Sequence, residues 1–224
     1  LARLALGECY LAAGDTARGR TVLTRLGRDT DFPQAAGRAH FDLARLDLAQ
    51  GHFAGSRDRF AAVALDDPAA PYANDALALG LIVAEELQNP SGGPEMLALY
   101  CASVAYDLTA QPDSQRVALE RFVARAVIQL DLAEPQPLLE HARFELASLY
   151  LAAGRRQDAL DALDRIVQDQ PDGRDAAAAL AESGRILAEA GDLAGARARY
   201  ERLLVQYPDY LFADEVRARV RSLP

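Results

Sequence analysis

Apolar residues recur at three- and four-residue spacing along most of this chain, and polar residues occupy the positions between them. This spacing is the signature of amphipathic helices, with glycine and proline marking where one helix ends and the next begins. The pattern predicts an all-α chain of about twelve helices. The last of them, at about residues 210–222, is expected to cap the array with a solvated outer face.

The helices follow a repeating unit. Small residues stand seven positions before and five positions after each of four turn glycines, and large apolar residues follow nine and twelve positions after them. The four turn glycines are Gly14, Gly51, Gly154 and Gly191. In three units a proline follows seventeen positions after the glycine, at Pro68, Pro171 and Pro208, whereas the first unit has it later, at Pro33.

Each position of the unit has a physical role. The glycine adopts the left-handed conformation that ends a helix, and Asp15 and Asp192 directly after it can cap the next helix. The small residues let two helix backbones approach closely, and the large residues fill the space beside that contact. The proline lacks an amide donor and ends the second helix. The unit is therefore a pair of packed helices.

This unit resembles the tetratricopeptide repeat family, with matching copies at residues 1–33, 34–70, 137–172 and 173–208. The resemblance implies a right-handed α-solenoid of stacked antiparallel helix pairs, forming a single domain over residues 1–224. Regular repeats would occupy residues 1–70 and 137–208, with an irregular section at 71–136 and a capping segment at 209–224. The 37-residue spacing and endings such as residues 206–220 are similar to bacterial cell-envelope members, including outer-membrane assembly lipoproteins and the periplasmic partner of the Tol–Pal system.

The irregular section departs from the repeat after a well-formed first helix at 69–88. The sequence NPSGGP at 89–94 interrupts the chain, and helices are expected at Glu95–Ala110 and around 118–126. The helix at 69–88 is therefore either unpaired or paired atypically with 95–110. We interpret Ser91, Gly92 and Gly93 as a flexible turn, because a phosphate-binding loop would need a preceding strand and a following lysine.

Composition excludes several functions. The formal net charge is −9 and the chain has no lysine, which excludes a Schiff-base or P-loop lysine and disfavours nucleic acid as a partner. Asn74 and Asn89 are the only asparagines, so the lysine and asparagine clamp of the family's co-chaperones cannot be built in its usual form. The longest apolar run, 76–84, is far shorter than the roughly 20 residues of a membrane span.

No motif indicates catalysis, a metal or a cofactor, so we expect the protein not to be an enzyme. His141 and Glu145 are interpreted as an ion pair on one helix face rather than as metal ligands. Adjacent carboxylates such as Asp66–Asp67 and Glu85–Glu86 are interpreted as solvated surface. Cys9 and Cys101 are expected to be buried small apolar side chains.

The resemblance implies that the first helix of each pair lines a concave groove. Carried over residue by residue, the groove candidates are Arg38, Phe41, Arg45, Asn74, Leu81, His141, Phe144, Ser148, Arg185 and Glu189. Arginine and aromatic side chains supply much of the binding energy at protein interfaces. We therefore expect a non-catalytic scaffold that binds a peptide or a partner protein in this groove, or docks laterally as a component of a larger complex.

The chain opens at Leu1 inside an amphipathic pattern, so we expect a fragment or a processed chain whose signal peptide or lipid anchor would lie upstream. Two readings stay open: an independent scaffold, or a binding or regulatory domain of a larger enzyme or signalling protein. The repeat style favours the periplasm or the outer membrane over the cytoplasm, and the wealth of alanine, arginine and aspartate is typical of a high-GC bacterial genome.

Overall fold

A computed structural model describes residues 2–90 and 93–223, so Ser91 and Gly92 of the predicted turn lie outside the described residues. The described chain forms two compact units, residues 1–129 (unit 1) and 130–224 (unit 2). Its described residues contain no strand and twelve helices: α1 (Ala2–Ala12), α2 (Thr16–Leu26), α3 (Pro33–Ala49), α4 (Phe53–Asp66), α5 (Ala73–Glu86), α6 (Gly93–Leu108), α7 (Pro112–Gln129), α8 (Pro137–Ala152), α9 (Arg156–Asp169), α10 (Ala176–Glu189), α11 (Leu193–Gln206) and α12 (Ala213–Ser222).

The predicted all-α architecture of stacked helix pairs is confirmed within each unit. In unit 2 the helices α8 to α12 stack in chain order, each against the next, around a core that includes Leu163, Ile166, Leu180 and Leu203. In unit 1 the helices α1 to α5 stack in the same way, and α6 pairs with α7.

The turn glycines and the small residues at the contact between paired helices, which we call the seam, behave as predicted. The four turn glycines have φ angles between 73° and 82°, in the left-handed region that ends a helix. At one seam the Ser56 hydroxyl donates a 2.9 Å hydrogen bond to the carbonyl of Ala44, across the two helices of a pair. At another, a Cβ on Gly184 would lie 2.4 Å from the Tyr200 ring. The helices approach this closely because these side chains are small.

The predicted helix caps form as well. The Asp15 carboxylate accepts a hydrogen bond from the backbone amide of Arg18 at 3.0 Å at the start of α2. Asp192 does the same for the amide of Gly195 at 2.9 Å at the start of α11. Each cap satisfies one of the amides that a helix N-terminus leaves without an intrahelical partner.

The irregular section has a different packing from the rest of unit 1. Helix α5 packs on α4, where a Cβ on Gly80 would lie 3.1 Å from Phe60 Cβ. Helix α6 touches α5 only lightly and instead crosses α3, where the Cys101 thiol donates to the carbonyl of Leu48 at 2.8 Å. The rings of Tyr100 and Phe122 then join α6 to α7, with centroids 5.8 Å apart. Helix α5 is therefore not the partner of α6.

The predictions for Cys9 and Glu86 are wrong, and one arginine is buried as well. Cys9 is exposed because α1 buries Gly7 and Leu11, and Cys9 lies on the opposite face of that helix. Glu86 is buried, with 1 % of its surface exposed, because it shares a helix face with the buried Ile82 and Val83. Arg143 is buried in α8, where it donates to the carbonyl of Arg165 at 3.1 Å and forms an ion pair with Asp169.

Candidate functional site

The groove candidates on α3 are held by interactions within unit 1. Asp42 is buried, and its carboxylate lies 3.4 Å from Arg38 Nε and 3.9 Å from a terminal nitrogen of Arg45. Burial raises the pKa of Asp42, and the two guanidinium groups partly oppose that rise. Arg45 also forms an ion pair with Asp107 of α6. Both arginines are thus committed to carboxylates of their own unit.

Phe41 lies in the core rather than on an open surface. Its ring is 6 % exposed and packs against Tyr72 and Phe60, with centroid distances of 5.6 and 5.8 Å. The guanidinium groups of Arg38 and Arg45 lie over its faces, 5.4 and 5.8 Å from the centroid. Phe41 therefore supports the two arginines and presents no accessible ring to a partner.

Helix α6 is the physical reason that the α3 face is closed. Every residue from Phe41 to Leu48 except Arg45 is buried, and a helix buried on all sides must be covered on each of them. The Cys101–Leu48 and Asp107–Arg45 contacts place α6 on this stretch. Leu108 continues the contact toward the cluster around Leu11.

The two candidates on α5 are exposed. Asn74 and Leu81 lie on one face of the helix with Leu77 between them, and all three are open to solvent. Helix α5 packs on α4, and Tyr72, just before α5, stacks on Phe41 of α3.

A groove in unit 2 brings two candidates together. Phe144 of α8 and Arg185 of α10 both line a cavity of about 350 Å³, which α12 and the segment before it close from the other side. We call this cavity the unit 2 groove. Its lining residues are Phe144, Ala178, Ala181, Glu182, Arg185, Tyr200, Tyr210, Phe212, Glu215, Val216 and Arg219.

The other candidates of unit 2 lie on the same helices but outside the groove lining. His141 Nε2 is 3.7 Å from Glu145 Oε1, in the i,i+4 arrangement expected from the sequence. The exposed Ser148 hydroxyl donates to the carbonyl of Phe144 at 3.2 Å. Glu189 accepts a hydrogen bond from Arg185.

Carboxylates on both sides fix the orientation of Arg185. Its Nε donates to Glu182 at 2.8 Å, and a terminal nitrogen donates to Glu189 one turn further along α10. These hydrogen bonds raise the pKa of Arg185 above its already high ordinary value. The guanidinium is therefore a permanent, oriented cation at the edge of the groove.

Aromatic side chains form the opposite rim. Phe212 is 48 % exposed, and its ring meets Tyr210 edge to face at 5.7 Å. Arg219 beside them has no ion pair among the described residues. The groove thus combines apolar walls with guanidinium donors, and its lining contains no nucleophile paired with a general base.

Sequence reasoning assigned α12 only a capping role and so missed Tyr210, Phe212 and Arg219. The signal was the run Tyr210–Leu211–Phe212 just before that helix, because a purely solvating cap does not need exposed aromatic residues. Solvent exposure of the run cannot be read from helical periodicity, since the run lies outside a helix.

Buried carboxylates elsewhere in unit 2 have a structural role. Glu140 of α8 accepts a hydrogen bond from the backbone amide of Asp175 at 3.0 Å, which ties the turn before α10 to α8. Burial raises the pKa of both Glu140 and Asp175. Within the described ranges, no group of three or more His, Cys, Asp or Glu side chains could hold a metal ion.

Two further cavities lie in unit 1. The larger, about 990 Å³, runs between the end of α2, the start of α3 and α4, and none of the predicted groove residues lines it. The second, about 550 Å³, lies between α6 and α7. Among the helices formed by residues 2–90 and 93–223, none has the length and apolar character required to cross a membrane.

Comparison with known proteins identifies repeats at both ends of the chain. Residues 144–210 and residues 1–29 each match a tetratricopeptide repeat family model. No curated protein matches the chain. Among solved structures, TPR-like repeats of a kinesin light chain from Podosopora anserina are 18 % identical, covering 83 % of this chain and 93 % of that one with a TM-score of 0.44. A point variant of those repeats gives 18 % identity, coverages of 87 % and 97 %, and a TM-score of 0.44.

Proposed function

We propose that this chain, which carries tetratricopeptide repeats at residues 1–29 and 144–210, is a non-catalytic interaction module whose unit 2 groove binds a segment of a partner protein. Repeats of this family mediate protein–protein interaction. The observation that supports this site is the meeting of Phe144, Arg185 and the exposed Phe212 in one groove.

The dimensions and chemistry of the groove favour a side-chain anchor. A volume of about 350 Å³ accommodates one or two large apolar side chains between Phe144 and Phe212. Arg219 has no carboxylate to occupy it among the described residues, so it can donate to a backbone carbonyl or a carboxylate of the bound segment. Aromatic and arginine side chains arranged in this way are the usual centres of interface binding energy.

Affinity purification from the native cell tests this proposal. The double variant Phe212→Ala/Arg219→Ala removes the exposed rim, and quantitative mass spectrometry should show loss of a defined set of co-purified proteins. The matched control is Leu211→Ala/Arg217→Ala, which truncates an exposed leucine and an arginine outside the groove lining. Peptides from the lost proteins should then bind the wild-type chain with at least ~tenfold higher affinity than the rim variant, which is about 1.4 kcal/mol.

If Phe212→Ala/Arg219→Ala, the rim variant, retains the same proteins as the control, the groove is not the binding site.

A cell-envelope location belongs to this proposal as well, and it is supported by the style of the repeats in the sequence. Fractionation of native cells, with this chain detected in the periplasmic or outer-membrane fraction, is the expected result, and recovery in the cytoplasmic fraction alone would refute it.

A further inference from the structure

We propose that the groove between α6 and α7 is a second protein-binding surface and that its partner is an acidic amphipathic segment. This α6–α7 groove is defined by Leu99, Ala102 and Tyr106 of α6 and by Arg116, Val117 and Arg121 of α7. It belongs to unit 1 and shares no residue with the unit 2 groove, so the proposal does not rest on the function of that groove.

The position of α6 creates this surface. Helix α6 buries one face against α3 through Cys101, and Tyr100 packs on Phe122 of α7. The side chains of α6 that line the cavity are apolar, and Leu99 and Tyr106 among them are 40 % and 37 % exposed. A cavity of about 550 Å³ separates these side chains from α7.

The surface continues along α7 beyond the cavity with arginine and apolar side chains. Arg121, Arg125 and Ile128 follow one another at helical spacing, and all three are exposed. Ile128 has 80 % of its surface open to solvent, and its neighbour Val127 is also exposed. An apolar surface of this kind, flanked by charged groups, marks interaction sites on soluble proteins.

Charge indicates the kind of segment that fits. Arg116 donates to Glu120 at 2.7 Å and lies 3.9 Å from Asp113, an exposed carboxylate that also lines the groove. Arg121 and Arg125 have no ion pair within the described residues. Helix α7 has three arginines and two acidic residues, a net charge of +1, in a chain whose formal net charge is −9. The free guanidinium groups beside apolar side chains therefore complement a segment that carries both carboxylates and large apolar residues.

An acidic peptide fits this surface better than a nucleic acid does. Phosphate backbones bind through many cations at once, and their approach is opposed by a net charge of −9. Arg121 and Arg125 are four positions apart, so they match carboxylates at the same spacing on one face of a helical peptide. Large apolar side chains of that peptide can enter the space between Leu99 and Val117.

Selection of peptides on the full chain tests the proposal. A display library of random peptides of 16 residues, the length of α6, is selected on the wild-type chain and counter-selected on the variant Arg121→Glu/Arg125→Glu. Recovered peptides should contain more Asp and Glu than Lys and Arg, with large apolar residues three or four positions apart. Synthetic copies should bind the charge-reversed variant at least ~tenfold more weakly than the wild type in low salt.

Matched variants separate this surface from general charge effects and from the unit 2 groove. Arg156→Glu/Arg165→Glu makes the same change in net charge at two exposed arginines of α9 and should leave the affinity of the peptides unchanged. Phe212→Ala/Arg219→Ala should also leave it unchanged. The milder variant Arg121→Gln/Arg125→Gln should give an intermediate loss, with the circular dichroism spectrum of the wild type retained.

Three results would overturn the proposal. They are recovery of basic rather than acidic peptides, equal weakening by the α7 and α9 charge reversals, and failure to recover any peptide that depends on Arg121 and Arg125. A fourth result, tighter binding of a single-stranded oligonucleotide than of the peptides at this surface, would assign it to nucleic acid instead.

Discussion

At the scale of single residues, the buried carboxyl group of Glu86 is the most consequential departure from the expected surface. It lies at the end of α5, and its Oε2 has no hydrogen-bond partner among the described residues. Burial raises the pKa of Glu86 from 4.5 to about 7, and a hydrogen bond with Asn89 only partly opposes that rise. Folding therefore favours the protonated form of this side chain.

The raised pKa predicts a pH dependence of stability. Between pH 4.5 and 7 the folded state binds more protons at Glu86 than the unfolded state, so its contribution is full below pH 4.5 and is lost as pH rises through about 7. On this basis the free energy of unfolding of wild type should fall by about 2–3 kcal/mol relative to Glu86→Gln between pH 5 and pH 8. Urea titrations at the two pH values measure this difference.

The matched control is Glu134→Gln, because Glu134 is exposed and its charge does not contribute to the raised pKa of Glu86. Its effect on the free energy of unfolding should stay within about 0.5 kcal/mol at both pH values, as is usual for surface substitutions. If wild type and Glu86→Gln differ by the same amount at pH 5 and pH 8, the carboxyl group is not protonated on folding and the prediction is wrong.

At the scale of helices, the seams between paired helices carry the packing of the repeats. A Cβ on Gly184 would meet the buried Tyr200 ring at 2.4 Å, whereas a Cβ on Gly55 of α4 would meet no atom within 4 Å. Gly184→Ala should therefore destabilise the protein by about 1–3 kcal/mol through overpacking. Gly55→Ala should stabilise it by up to about 1 kcal/mol, because alanine has the higher helix propensity.

Thermal unfolding followed by circular dichroism measures both substitutions. Opposite shifts of the midpoint temperature are expected for the same chemical change at two helical positions. A stabilising effect of Gly184→Ala would mean that the Tyr200 ring can move aside, and the close approach of α10 and α11 would then not depend on the glycine.

Helical spacing and the turn glycines made the repeated helix pairs predictable, because each seam joins helices that are neighbours in the chain. The site of α6 was not predictable in this way. Its contacts to α3 join Cys101 to Leu48 and Asp107 to Arg45, and periodicity shows which face of a helix is apolar but not which distant helix covers it. In the structure α6 therefore covers the groove candidates on α3, which the sequence pattern had left exposed. Phe144 and Arg185, by contrast, line an open groove.

At the scale of the whole molecule, the boundary between the two compact units at residues 129 and 130 falls inside the section that interrupts the regular repeats. The unit 2 groove and the α6–α7 groove lie on different units. Substitutions confined to one unit should therefore abolish binding of the partner of that groove and leave binding of the other partner unchanged.

The division into two units predicts that a core substitution in one of them loosens that unit first. Leu163 of unit 2 and Leu43 of unit 1 are both fully buried, and replacing either by alanine should cost about 2–5 kcal/mol. In hydrogen exchange with mass spectrometry, Leu163→Ala should accelerate the slowest amides of residues 130–223 and leave those of residues 2–90 and 93–129 unchanged. Leu43→Ala should give the reverse pattern. Equal acceleration in both units by either substitution would show that the chain unfolds as one cooperative body, because a single opening event would then expose every protected amide.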